Sequence, residues 1–161
     1  QINKVLKKCN FCIQDIDAYG VCIGPGNFTG IRISLSIVKG ISFASGKPAI
    51  GISAFECLAF PYKTCSVIIK GGQDYFYTQT FEENISVNEP KLTKQYDLEK
   101  NLKLNKFPLI GFNAEQLARK LKMSFFSDST LISTHILGNI TLKKIKNKKK
   151  ELKPLYIKQG V

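Results

Sequence analysis

Apolar positions change their period along the chain, and each change marks an element. Ile2, Val5, Leu6, Cys9 and Ile13 recur at three- and four-residue steps, which predicts an amphipathic helix. The run Ile16–Gly24 (IDAYGVCIG) is short and apolar and predicts a buried strand. From Ile31 to Ser45 there is no proline, and Ile31, Ser34, Leu35, Val38, Ile41 and Ser42 fall on one stripe, so this stretch predicts a helix. Gly46-Lys47-Pro48 stops it, and Ala49–Ser53 (AIGIS) predicts the next strand. Strand, helix and strand over this distance make a βαβ unit, with a right-handed crossover joining parallel strands.

The style changes after Ala54–Phe60, a short helix that Pro61 ends. Cys65–Lys70 (CSVIIK) and Asp74–Phe81 (DYFYTQTF) predict two strands joined at Gly71-Gly72, a hairpin signal. Ile85–Asn88 (ISVN) predicts a third strand, and Pro108–Phe112 (PLIGF) a buried one. Asn113 is the expected cap of a helix over Ala114–Lys122. A last helix fits Ser129 to about Asn147, with Ile132, Ile136 and Ile140 on one side, and Pro154–Lys158 (PLYIK) is strand-like. No internal repeat is present. The shift near Pro61–Thr64 divides the chain into residues 1–61 and 62–161.

Composition narrows the class. A chain of 161 residues that is 43% hydrophobic has enough apolar surface for a real core. Its longest apolar stretch, Ala49–Phe60, is short and broken by Ser53 and Glu56, so no membrane span is expected. The N-terminal lysines precede no apolar block, which excludes a secretory signal there and points to the cytoplasm. The missing initial methionine points to a fragment, a processed form or a shortened chain. Five cysteines at irregular spacing include one CxxC, Cys9 to Cys12, and there is one histidine, His135. A four-ligand zinc site needs more partners than these. Cys22 and Cys57 read as small packed hydrophobes in a reducing compartment.

The net charge of +12 adds a candidate chemistry. Lysines concentrate in Leu142–Lys153, where Lys143, Lys144, Lys146, Lys148, Lys149 and Lys150 are candidate RNA contacts. The alternative is a solvated, lysine-rich helix face. No aromatic residue follows in that tract until Tyr156, so a base-stacking platform is not supported.

The most specific stretch is Gly24–Gly30 (GPGNFTG), between the first strand and the long helix. A P-loop needs a lysine and a hydroxyl after its last glycine, and here Ile31 and Arg32 follow Gly30. A dinucleotide loop needs an acid at the end of the next strand, and no Asp or Glu lies between Asp17 and Glu56. Pro25 also removes an amide donor. The structural reading is a tight strand-to-helix corner built from Gly24, Pro25, Gly26, Asn27 and Phe28, with Asn27 or Thr29 capping the helix. Arg32, Ser36, Lys39 and Phe43 lie away from the apolar stripe. The small residues Gly30, Ser34, Gly40 and Ser42 favour close approach of another helix.

These residues resemble the signature of the TsaB/YeaZ family, whose usual form is close to GPGSFTG-x-R-x-G-L-S followed by a lysine-glycine helix. Gly24, Pro25, Gly26, Phe28, Thr29, Gly30, Arg32, Leu35, Ser36, Lys39 and Gly40 match in order, and PLYIK is similar to a terminal P-x-Y-L-R. The resemblance implies an α/β fold of the actin and sugar-kinase (ASKHA) type with two αβ lobes. It implies a non-catalytic accessory subunit in making threonylcarbamoyladenosine next to the anticodon of tRNA. The implied partners are a TsaD-type paralogue, a TsaE-type ATPase and, indirectly, tRNA, with a homodimer as a substitute. No cofactor is expected on this chain, and ATP and metal are expected on the partner subunits. The partner interface expected from the free side of the helix is Thr29, Gly30, Arg32, Ser36, Lys39 and Phe43. The other class left open is a nucleotide-binding or glycoprotease-like enzyme using the glycine loop, or a degraded member acting only as a homodimer. Two departures stand out. Family members open with a strand like ILAIDTS and further hairpin strands, so the first lobe is expected to be incomplete in this chain. Lys70-Gly71-Gly72 stands where the family usually has Asp-Ala-Arg.

Overall fold

The computed structural model describes residues 2–102, 107–111, 114–126, 132–146 and 152–157. The chain begins with helix α1 (Ile2–Lys8), in which no residue is buried. Asn10, at φ 56°, ends it, and Ile13–Asp15 form a separate 3₁₀ turn. The predicted stripe from Ile2 to Ile13 is therefore two pieces. Strand β1 (Tyr19–Cys22), helix α2 (Phe28–Ser45) and strand β2 (Ala49–Ile52) follow, with Gly46 in the left-handed region at φ 67° as the α2 cap. β1 and β2 pair in parallel, Tyr19 against Ala49 through Cys22 against Ile52, which is the expected βαβ unit.

Helix α3 (Ala54–Ala59) stops two residues before Pro61. Strands β3 (Cys65–Lys70) and β4 (Tyr75–Glu82) form the expected antiparallel hairpin, Lys70 opposite Phe76. β5 is only Ile85–Ser86. Two elements had no sequence expectation: strand β6 (Lys91–Lys94), paired with β4, and helix α4 (Gln95–Leu102). Strand β7 (Leu109–Gly111) pairs in parallel with β3, and α5 (Ala114–Leu121) follows; the Asn113 cap lies outside the described residues. The second sheet runs β5-β4-β3-β7 with β6 beside β4.

The last helix, α6, covers Thr134–Lys144 with Ser133 as its N-cap, because the Ser133 hydroxyl accepts from the His135 amide. Residues 129–131 and 147 of the expected span lie outside the described residues. PLYIK is not a strand where it is described: residues 152–157 run outside both sheets, and the Leu155 N–H bonds to the carbonyl of Ile23, just past β1 (2.8 Å).

Four apolar clusters hold these layers. One face of the second sheet packs Ile68, Phe76 and Leu109 against Leu98 and Leu102 of α4 and Leu117 of α5. The other packs Val67, Phe81 and Ile110 against Phe55 and Leu58 of α3. The parallel pair β1–β2 is covered by α2 through Val21 and Leu35 and by α6 through Ile52 and Ile140. That double cover suits parallel strands. α6 approaches β1 so closely that a Cβ on Gly20 would sit 2.0 Å from Thr141 Oγ1. The division at Pro61–Thr64 falls between the two sheets, and α6 then crosses back to the first.

Candidate functional site: the glycine corner and the free face of α2

The corner is built by backbone demands. Gly24 is buried at φ 103°, where a side chain is strained, and a Cβ there would lie 2.9 Å from Ile31 Cδ1. Its carbonyl accepts from the Ala54 amide (2.7 Å), which fixes the corner to the start of α3. Asn27 is the N-cap of α2: its side-chain oxygen accepts from Gly30 N–H (2.8 Å) and its carbonyl from Ile31 N–H (3.0 Å). Thr29 is not the cap. The Arg32 guanidinium lies 3.9 Å from the Phe28 ring centre, and its Nη2 donates to the Tyr156 hydroxyl (3.1 Å).

Ligands of open parallel sheets sit outside the carboxyl ends of the strands. Just past that end of β2 the side chains pair with one another. Ser53, next after β2, and Glu56 form a reciprocal capping box on α3, Glu56 N–H to Ser53 Oγ (3.1 Å) and Ser53 N–H to Glu56 Oε2 (2.9 Å). The other Glu56 oxygen takes an ion pair from Lys144 of α6. Cys57, beside them, is fully buried, and burial, with Cys22 and Glu56 nearby, pushes its thiol up to about 12. Burial raises the Cys22 thiol also.

α2 buries one stripe only. Leu35 is its sole buried residue, with Ile31 and Val38 packed around it. Of the interface residues expected from sequence, Thr29, Gly30, Arg32, Ser36, Lys39 and Phe43 are all exposed, Phe43 at 93%. They are not equivalent. Gly30 serves the cap and Arg32 is held by Phe28 and Tyr156, whereas Ser36, Lys39 and Phe43 face outward. Ile33 (55%) and Ile37 (47%) are also exposed, and the sequence reading passed over them. With Gly40 and Ala44 they recur at helical steps of four, three and four, opposite the Ile31–Leu35–Val38 stripe. A Cβ on Gly40 would meet nothing within 4 Å, so the helix is open there. The signal was in the sequence as a second apolar stripe on one helix. Of the other small residues, Ser34 is exposed, but Ser42 donates to the Lys47 carbonyl (2.6 Å) and is spent within the fold.

The basic tract divides. Lys143 Nζ stands 4.6 Å from the Phe60 ring centre and Lys144 pairs with Glu56, so both are engaged with their own fold. Lys146 is exposed, and Lys148, Lys149 and Lys150 lie outside the described residues. Cys9 and Cys12 are exposed. The Cys12 thiol and amide both donate to Asp15 Oδ2 (2.9 and 2.8 Å) and hold that carboxyl below its ordinary range. His135 is hydrogen-bonded to Asn139 on its own helix (3.1 Å). Among the described residues no three His, Cys, Asp or Glu side chains cluster as a metal site, and no helix is long and apolar enough to cross a membrane.

The family model described as TsaD, tRNA N6-adenosine threonylcarbamoyltransferase, matches residues 1–153. The chain belongs to this family. Within it the chain is TsaB/YeaZ-like. It is 30% identical over 138 residues to the tRNA threonylcarbamoyladenosine biosynthesis protein TsaB of Buchnera aphidicola, covering 77% of this chain and 65% of that one. It is 42% identical over 55 residues to tRNA N6-adenosine threonylcarbamoyltransferase of Clostridium botulinum, 34% of this chain. That match spans only 16% of the Clostridium protein's length. Among solved structures, YeaZ from Pseudomonas aeruginosa superposes with a TM-score of 0.75 at 16% identity, over 96% of this chain and 81% of that one. The fold is thus the YeaZ-like, ASKHA-type α/β fold that the signature implied.

Proposed function

We propose that the chain is a non-catalytic accessory subunit of the tRNA threonylcarbamoyladenosine machinery that docks a TsaD-type paralogue through the free face of α2. The observation that carries this reading is the second stripe of that helix: Ile33, Ile37, Gly40 and Ala44, apolar or small and facing away from the core, with the exposed Phe43 beside it. One exposed leucine or isoleucine is ordinary on a protein surface, but an aligned apolar stripe rimmed by Arg32 and Lys39 has the anatomy of an interface. The non-catalytic part rests on the glycine corner, which has neither the lysine of a P-loop nor the acid of a dinucleotide site, and on Glu56 being taken up by Ser53 and Lys144. ATP and metal then belong to the partner subunits, and tRNA and a TsaE-type ATPase are reached through the complex. Co-purification with the TsaD-type paralogue from the same organism tests the reading. Retention that is lost on Ser36→Trp supports it, and retention unaffected by that bulk contradicts it. A stable homodimer disrupted by the same change would instead assign the face to a second copy.

A further inference from the structure

Residues Leu152–Ile157 belong to neither sheet, yet they touch the cores beneath both. Leu152 is buried with Val21 and Leu35 under the first sheet. Leu155 and Ile157 pack on the Phe55, Val67 and Phe81 cluster of the second. Between these anchors the Leu155 amide bonds to the Ile23 carbonyl, one residue before Gly24. Tyr156 then reaches the first turn of α2. Its ring lies 6.5 Å from that of Phe28 at 44°, and its hydroxyl accepts from Arg32, whose guanidinium covers Phe28. Phe28, Arg32 and Tyr156, the last lying 124 positions beyond Arg32, thus close on one corner.

We propose that residues 152–157 act as a strap that fixes the glycine corner, with Tyr156 as the positioning residue that holds Arg32 stacked on Phe28. The guanidinium has a long flexible stem, and at an exposed site it keeps one geometry only when several weak contacts agree. Here a cation–π contact fixes its plane and the tyrosine hydroxyl fixes its rotation. The strap is anchored in both cores, so it links the entry of α2 to the second sheet through side chains remote in sequence. If α2 docks a partner as proposed above, which this step takes as given only for its consequence, the strap presents Arg32 already ordered.

The test is Tyr156→Phe, which keeps the ring and removes the hydroxyl. Amide exchange at Gly30 and Ile31 should rise about two- to twelve-fold, the loss expected for one such hydrogen bond. Exchange of α5 amides that open locally should not change, and the urea midpoint should fall by no more than the worth of that one hydrogen bond. Arg32→Gln should raise exchange at the same amides, and the double variant should be no faster than Arg32→Gln alone. Unchanged exchange in Tyr156→Phe, or effects of the two changes that add in full, would overturn the strap. Titration with the TsaD-type paralogue separates the two readings. Faster exchange with unaltered affinity leaves the strap standing and places Arg32 outside the docking face. Failure of the unaltered chain to bind bears on the docking reading alone.

Discussion

Gly24→Ala is the sharpest perturbation of the corner, because its cost has two separable parts. At φ 103° an alanine is strained, at about 1–3 kcal/mol. The new Cβ also falls 2.9 Å from Ile31 Cδ1, about 0.6 Å inside the 3.5 Å at which carbon contacts become favourable. Ile31 can yield by rotating, at roughly 0.5–1.5 kcal/mol for an off-rotamer side chain. The sum is about 2–4 kcal/mol, which for a chain of this size lowers Tm by roughly 5–15 °C. Ile31→Val removes Cδ1, so the double variant should recover the contact part and leave the backbone part. Gly40→Ala is the internal control: nothing lies within 4 Å, and the helix interior favours alanine by about 0.5–1 kcal/mol. Urea unfolding of the four proteins checks this. A Gly24→Ala cost below about 0.5 kcal/mol, or a Gly40→Ala cost as large as that of Gly24→Ala, would refute the conformations assigned to the two glycines.

Other outcomes follow from the same structure. With a disulfide reagent at pH 8, Cys9 and Cys12 should react quickly, whereas Cys57 and Cys65 should react only on unfolding, since both are buried and pushed up to about 12; five fast thiols would contradict the packing. Those raised thiols stay protonated in the fold while unfolded thiols ionise near 9, so their stabilising effect is intact below pH 9 and is lost as pH rises to about 12. Urea midpoints across that range check it. Lys144→Ala should destabilise by about 1 kcal/mol by leaving the half-buried Glu56 unpaired, and Glu56→Gln should reduce that penalty; additive losses would deny the pair. If the lysine tract binds tRNA, Lys146→Ser with Lys148, Lys149 and Lys150→Ser should flatten the salt dependence of retention on tRNA, with no retention even at low salt as the contrary result.

The legible parts of the fold were those that carry their own punctuation. Gly46-Lys47-Pro48 ended α2, where Gly46 takes φ 67°, and Gly71-Gly72 marked the hairpin, where a Cβ on Gly71 would fall 2.8 Å from Tyr77 Cε2. β6 and α4 were not legible for the opposite reason. Lys91–Lys94 holds one apolar residue, Leu92, whose setting is supplied across the sheet by Tyr77 and Gly71. α4 buries only Leu98 and Leu102. PLYIK looked like a strand because Leu155 and Ile157 are apolar and alternate, yet they are spent on a core contact outside any ladder. At the candidate site the sequence located the helix and its outward residues. The Arg32–Tyr156 contact joins positions 124 apart, and nothing local encodes it. The Lys144–Glu56 pair was hidden in the same way. A lysine in a basic tract reads as solvated until its partner is seen.

Calorimetric titration of the TsaD-type paralogue into the chain, repeated with Ile37→Glu and with Lys100→Glu on α4, tests the central claim most directly. A charge at Ile37, in the middle of the free stripe of α2, should abolish measurable binding, a loss of more than about 100-fold for a buried unpaired carboxylate. Lys100→Glu, a comparable change far from that stripe, should leave affinity within about three-fold, as rim-type charges do. Equal binding by the unaltered chain and Ile37→Glu would contradict the assignment of α2 as the docking face.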